Sequence, residues 1–287
     1  MSDYLEKAYC MNQTVRIFAA NTTNLVKKAQ EIFNMWPSSI MAFGRVLTIS
    51  AIMSCTYKNG EFLNIKVDGD GPIGRITVEA TDGKVRGFVQ NPGVFLQNKD
   101  GKINVADAVG AGMIEVIKDL HLRQPFSSSS EIISGEIADD FTYYFAKSEQ
   151  IPSSVALAVN LDKESKVVSA GGFLIQVMPG CKQETIDTLE KRLKEIKPIS
   201  KMIEEGYTPE EIINEVTMGD YQLLEKRELK YECNCSKERF ERGLKSIGKD
   251  SLLQILNEDK HAHITCNFCK KEYEFSEDDL KKLIFEL

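Results

Sequence analysis

No run of this 287-residue sequence stays apolar long enough to cross a bilayer. The longest apolar-leaning stretch, residues 40–55, is broken by Gly44 and Arg45 and falls short of the ~20 residues a spanning helix needs. A secretory leader is also missing. The first ten residues carry Asp3 and Glu6 where a basic start is required, and no long apolar run follows, so a cytoplasmic location without a membrane partner is expected. Positive charge is in short supply: net charge is −7, the pI is near 5.3, and no local basic patch stands out. Such a chain repels phosphate backbones, and nucleic acid is not an expected partner. Histidine is rarer still, with three in the chain and His121 alone within residues 14–179. No nucleophile motif accompanies it, and Asp139 and Asp140 read as helix surface, so the chain is not read as an enzyme.

What is present is ordinary globular composition, 42% hydrophobic and 28% charged, enough for a substantial core. The fold class expected is α+β: a mixed core over residues 1–180, a helical linker over 181–230 and a small module over 231–287. In the first part, residues 14–20 are extended and a helical period runs through Leu25, Ile32 and Met35. Alternating runs at 61–67, 73–80 and 85–90, separated by Asp68-Gly69-Asp70-Gly71-Pro72 and Asp82-Gly83, read as an antiparallel meander. Gly69, Gly71 and Gly74 sit between strands, with no helix to receive a phosphate, and read as a turn. A helical pattern at 137–150 precedes extended runs at 155–161 and 167–178, and Pro179-Gly180 marks the end of the core.

Beyond it the composition shifts to helix formers. Ile186, Leu189, Leu193 and Ile196 form one apolar stripe, and Thr208-Pro209-Glu210-Glu211 is a capping box with proline at the first helical position. The stripe must cover something, either permanently or as a removable lid.

Seven cysteines are unevenly placed. Cys10, Cys55 and Cys181 stand alone and read as core or bystander thiols. The other four, Cys233, Cys235, Cys266 and Cys269, fall within 37 positions, which in a cytosolic chain points to metal or redox chemistry. Residues two apart in an extended segment point to the same side, so Cys233-Asn234-Cys235 aims two sulfurs at one point. Cys266-Asn267-Phe268-Cys269 does so through a tight knuckle, the spacing of structural zinc sites. Two pairs complete a tetrahedron, leaving His261 and His263 as surface residues. Between the pairs Ser236 caps a helix through Phe240, Leu244 and Ile247 that stops at Gly248; residues 264–275 alternate as a hairpin, and residues 276–279 cap a last helix. A unit this small needs such a staple. Zinc keeps the sulfurs as thiolates, the form oxidants attack, and oxidation forfeits up to ~10–16 kcal/mol of apparent binding free energy.

Cys-Xaa-Cys, a gap of about thirty residues and Cys-Xaa-Xaa-Cys near the end of a chain of this length resemble the 33 kDa chaperonin family, redox-regulated heat-shock holdases. Gly69-Asp70-Gly71-Pro72, Gly171-Gly172-Phe173 before Pro179-Gly180, and Cys233-Asn234-Cys235-Ser236 followed by Arg239 extend the match over essentially the whole chain. The resemblance implies a reduced, inactive form with one Zn2+ per chain held by Cys233, Cys235, Cys266 and Cys269. It further implies an oxidised form with disulfides Cys233–Cys235 and Cys266–Cys269, zinc release, and unfolding of the module and linker. The uncovered surface, including the stripe of Ile186, Leu189, Leu193 and Ile196, would then hold unfolding client proteins under oxidative stress and promote a homodimer. The alternative is a constitutive zinc ribbon that binds nucleic acid or a translation partner. Residues 231–287 carry 10 Lys and Arg against 12 Asp and Glu, a balance unfavourable to nucleic acid.

Overall fold

A computed structural model describes residues 2–57 and 60–287, which divide into two compact units, Met1–Glu232 and Cys233–Leu287. In the first, β1 (Tyr4–Cys10) pairs antiparallel with β2 (Val15–Asn21). Next, α1 (Thr23–Phe33) buries Leu25, Val26, Ala29 and Phe33 along one face, the spacing an amphipathic helix requires. The Asp3 carboxylate accepts the Asn24 and Leu25 N–H groups at its start, at 3.0 and 2.6 Å, satisfying donors that the helix itself cannot. The long apolar stretch becomes α2 (Pro37–Ser54), with proline in its first turn. It is buried almost throughout because it lies between two sheets. Gly44 makes this possible: a Cβ there would stand 2.7 Å from Val26 Cγ1 and 2.8 Å from Val159 Cγ2.

The meander appears as β3 (Phe62–Gly69), β4 (Arg75–Thr81) and β5 (Lys84–Val89), followed by α3 (Ala106–Val109), β6 (Gly112–Asp119) and β7 (Phe126–Glu131). The glycine segment after β3 is a turn, pressed against α3 so closely that a Cβ on Gly69 would lie 2.0 Å from the Val109 carbonyl oxygen. Then come α4 (Ala138–Tyr144), extended by a π-helical turn over Phe145–Glu149, and β8 (Ser153–Leu161) and β9 (Val167–Val177). The linker supplies α5 (Gln183–Glu195), α6 (Ile199–Glu204), α7 (Pro209–Thr217), β10 (Tyr221–Glu228) and β11 (Lys230–Tyr231). One sheet has the order β10-β1-β2-β9-β8, the other β11-β5-β4-β3-β6-β7, and every pairing except β11 with β5 is antiparallel. The layers run six-stranded sheet, α1 and α2, five-stranded sheet, then α5 to α7. The fold class is the mixed α and β architecture expected.

Three expectations need correction. The linker is not helical to its end: residues 221–228 form β10, paired with β1, and the compact unit runs past Pro179-Gly180 to Glu232. Ile196 lies beyond α5 in an extended conformation; Pro198 disfavours helix at Lys197, so the run cannot continue past it. Finally, Asp140 is not surface. It is 0% exposed. Its carboxylate accepts the N–H groups of Ile133, Ser134, Gly135 and Ile137 at 2.8–3.3 Å and the Ser134 hydroxyl at 3.2 Å, so it organises the loop that enters α4. Removing it strands several buried donors, and Asp140→Ala is expected to cost about 2–4 kcal/mol, read as a fall in the urea midpoint.

The second unit holds α8 (Lys237–Ser246), α9 (Lys249–Glu258), β12 (Ala262–Thr265), β13 (Glu272–Phe275) and α10 (Glu277–Phe285). Ser236 caps α8 and Ser276 caps α10, as the sequence predicts. The helix α9 is additional, starting at Gly248, where the first helix was expected to stop. The buried set is small: Leu244, Leu252, Tyr273, Phe275, Leu280 and Leu283, with Cys266. Among the described residues no helix is long and apolar enough to cross a membrane.

Candidate metal centre

Two segments of the second unit each present a pair of sulfurs. Cys233 and Cys235 lie on the extended stretch before α8, where Arg239 Nη1 donates to Asn234 Oδ1 at 3.0 Å and Ser236 Oγ accepts the Arg239 N–H at 3.3 Å. Cys266 directly follows β12 and Cys269 lies in the turn to β13. The Cys266 N–H donates to the Lys271 carbonyl and the Lys270 N–H to the Cys266 carbonyl, both at 2.9 Å. Lys270 takes the left-handed conformation that closes the turn, with φ 60°. Side-chain bonds thus brace the first pair and backbone bonds the second.

The four sulfurs lie within 4.8 Å of one another, with Cys233 to Cys266 at 3.8 Å and Cys235 to Cys269 at 3.4 Å. A tetrahedral tetrathiolate with metal–sulfur bonds of ~2.3 Å has edges of ~3.8 Å, so one ion fits among them. Cys266 is buried and the other three are half-buried. His261 and His263 do not join them: both are exposed, His261 Nδ1 lying 2.7 Å from the Asp259 carbonyl and His263 Nε2 3.3 Å from Glu274.

The electrostatics also call for a cation. Burial raises the Cys235 thiol, but the Tyr273 hydroxyl, donating at 3.1 Å, and the surrounding sulfurs outweigh that and bring it down to about 7. Burial and the same crowding push Cys269 up to about 12, against a bond from the Lys271 N–H. One thiolate thus forms easily and raises the cost of the next, since adjacent like charges disfavour ionisation. A divalent cation at the centre removes that conflict.

In the first unit Leu189 is 4% exposed, and Ile186, Leu193 and Ile196 are half-buried. Leu193 and Ile196 join a second apolar cluster between α5–α7 and the five-stranded sheet. Its buried linker members also include Met202, Ile203, Ile212, Ile213 and Val216, packed over Ala8, Val15, Ile17, Ala19, Phe173 and Ile175. These deeper residues lay outside the predicted stripe, although the capping box before Ile212 and Ile213 marks their helix. Cys55 and Cys10 are buried core thiols, and Cys181 is half-buried.

A family model described as Hsp33 protein matches residues 3–276. The 33 kDa chaperonin of Bacillus cytotoxicus is 46% identical over 289 residues, covering 99% of each chain. That of Acholeplasma laidlawii is 44% identical over 288 residues with the same coverage. The crystal structure of the 33 kDa chaperonin (heat shock protein 33 homolog) of Thermotoga maritima matches with a TM-score of 0.91 at 31% identity, over 100% of this chain and 99% of that one.

Proposed function

Because the chain belongs to the Hsp33 family of 33 kDa chaperonins, we propose that it is a cytoplasmic, redox-regulated holdase that binds unfolding proteins only after oxidation. The observation that carries this reading is that four sulfurs from two separate segments of a 55-residue unit converge within 4.8 Å. In the reduced protein Cys233, Cys235, Cys266 and Cys269 hold one Zn2+, the usual ion of four-thiolate structural sites, which supplies the positive charge that keeps all four sulfurs ionised. Residues 1–180 act as the client-binding core, 181–230 as a releasable linker and 231–287 as the switch.

Oxidation forms Cys233–Cys235 and Cys266–Cys269, each pair of thiolates giving two electrons to one molecule of an oxidant such as peroxide, which with two protons is reduced to water as the S–S bond forms. The pairing matters physically. Bonds within each pair leave the two segments unconnected, so the module loses its staple, whereas bonds between the pairs would replace the metal with another cross-link. The module and linker then unfold, and the linker uncovers the apolar face it packs on. That face binds extended apolar segments of clients and supports a homodimer. The work is binding, with no catalytic residue assigned. A balance of −2 over residues 231–287 disfavours a constitutive nucleic-acid ribbon.

The test pairs zinc and thiol stoichiometry, before and after peroxide, with light scattering of an unfolding client. Expected are one zinc and the four clustered thiols lost per chain, with aggregation suppressed only afterwards; zinc loss without any effect on the client would sink the chaperone reading. The Tyr273 hydroxyl draws charge from the Cys235 sulfur, so Tyr273→Phe should leave that sulfur a better nucleophile. Peroxide-driven zinc release, followed with a chromogenic chelator, should become about 3–10-fold faster, the range of one ordinary hydrogen bond.

A further inference from the structure

The outer face of the β12–β13 hairpin carries two of the chain's three histidines. Tyr273 and Phe275 turn inward and are buried, so the alternation of the strands sends Glu274 of β13 and His263 of β12 to solvent. The register sets these two directly opposite each other, with His263 Nε2 3.3 Å from Glu274 Oε1. His261 lies two residues before His263 and therefore on the same face. Its ring centre is 5.8 Å from that of His263, and the rings stand at 89°. Backbone closes the turn that delivers it: the Asp259 and Lys260 N–H groups donate to the Ile255 carbonyl at 2.9 and 3.2 Å, and Lys260 is left-handed, with φ 60°.

These spacings suit ligands of one ion. With bonds of ~2.0–2.2 Å to nitrogen and oxygen, two tetrahedral ligand atoms lie ~3.4 Å apart, and two imidazoles on one ion have ring centres ~5–6 Å apart. A carbonyl accepts and never donates, so His261 Nδ1, 2.7 Å from the Asp259 carbonyl, carries the hydrogen and Nε2 of the neutral ring keeps a bare lone pair. Histidine ligands are held in this way, one nitrogen on a carbonyl and the other on the metal. We propose that His261, His263 and Glu274 form a second divalent-cation site, apart from the four sulfurs, with a fourth position left to water. Two imidazoles and a carboxylate suit zinc and its late transition-metal neighbours, whereas calcium and magnesium take oxygen. The donors close on the ion by side-chain rotation, for which Glu274, 77% exposed, has room. Ordering exposed side chains costs affinity, so this ion is weakly held and exchanges with free metal. With ligands from both strands, the ion ties the hairpin across its register, and free zinc at about 100 times Kd lowers the opened population about 100-fold. That opening of this module triggers activation rests on the function proposed above; the site does not.

The experiment uses the reduced full chain with zinc on its four sulfurs, dialysed against graded free Zn2+, with zinc counted per chain and the histidine ring signals followed by NMR. A second zinc is expected at micromolar free ion, shifting the His261 and His263 signals together and leaving that of His121 in place. His263→Ala and Glu274→Gln, both at exposed positions, should each weaken the second zinc by about tenfold or more while the first is retained. A count that stays at one, or a second zinc bound equally well by the double variant His261→Ala, His263→Ala, would overturn the site. Peroxide-driven loss of the first zinc is then timed at a free zinc level that fills the second site, and should be slower in the unsubstituted chain than in His263→Ala. Equal rates with the second zinc demonstrably bound would count against unfolding of this module as the trigger and leave the site standing.

Discussion

Removing the metal from the reduced protein is expected to unfold residues 233–287 and leave the first unit folded. The second unit buries few apolar side chains, and its two cysteine segments meet at the sulfurs. Without a cation the four thiols face the conflict that drives Cys235 and Cys269 apart in acidity. Structural zinc contributes ~10–16 kcal/mol of apparent binding free energy, as much as the ~5–15 kcal/mol net stability of a typical whole domain, so burial cannot make up the loss. Hydrogen exchange after treatment with a strong chelator should show protection lost across α8–α10 and retained in β2, β9 and α2. Cys266→Ser, at the most buried of the four positions, should behave the same way with no chelator added. A metal-free tail that stayed protected would remove the trigger.

The second large effect belongs to the linker. Ile213 is 0% exposed in the cluster over the five-stranded sheet, and Ile213→Asp places an unpaired carboxylate there while deleting an apolar side chain. The combined cost exceeds ~4 kcal/mol, enough to lift α5–α7 while the core sandwich stays intact. The reduced, zinc-loaded variant is therefore expected to suppress client aggregation without peroxide, with exchange protection lost in residues 183–217 and kept in the second unit. Loss of protection throughout the first unit would show instead that the helices are part of the core and not its lid.

The features legible in the sequence are those set by neighbours in the chain. Asp82-Gly83 fixes the β4–β5 turn, Thr208 with Glu211 opens α7, and the Cys266–Cys269 knuckle is closed by its own backbone. The features that escaped depend on distant partners. Residues 221–228 read as helix formers, yet they become β10 because β1 offers an open edge, with Tyr4 opposite Glu228. Asp140 is polar, but four backbone donors and a hydroxyl pay for its burial. Met202, Ile203 and Ile213 sit in short helices with no long periodic stripe, and only the sheet opposite identifies the face they bury.

That same β1–β10 ladder sets a timetable for biogenesis. The first strand leaves the ribosome well over two hundred residues before its outer neighbour exists. At ~5–20 residues per second it waits roughly 10–40 s with a bare edge, which makes this nascent chain a candidate for the chaperones that guard translation.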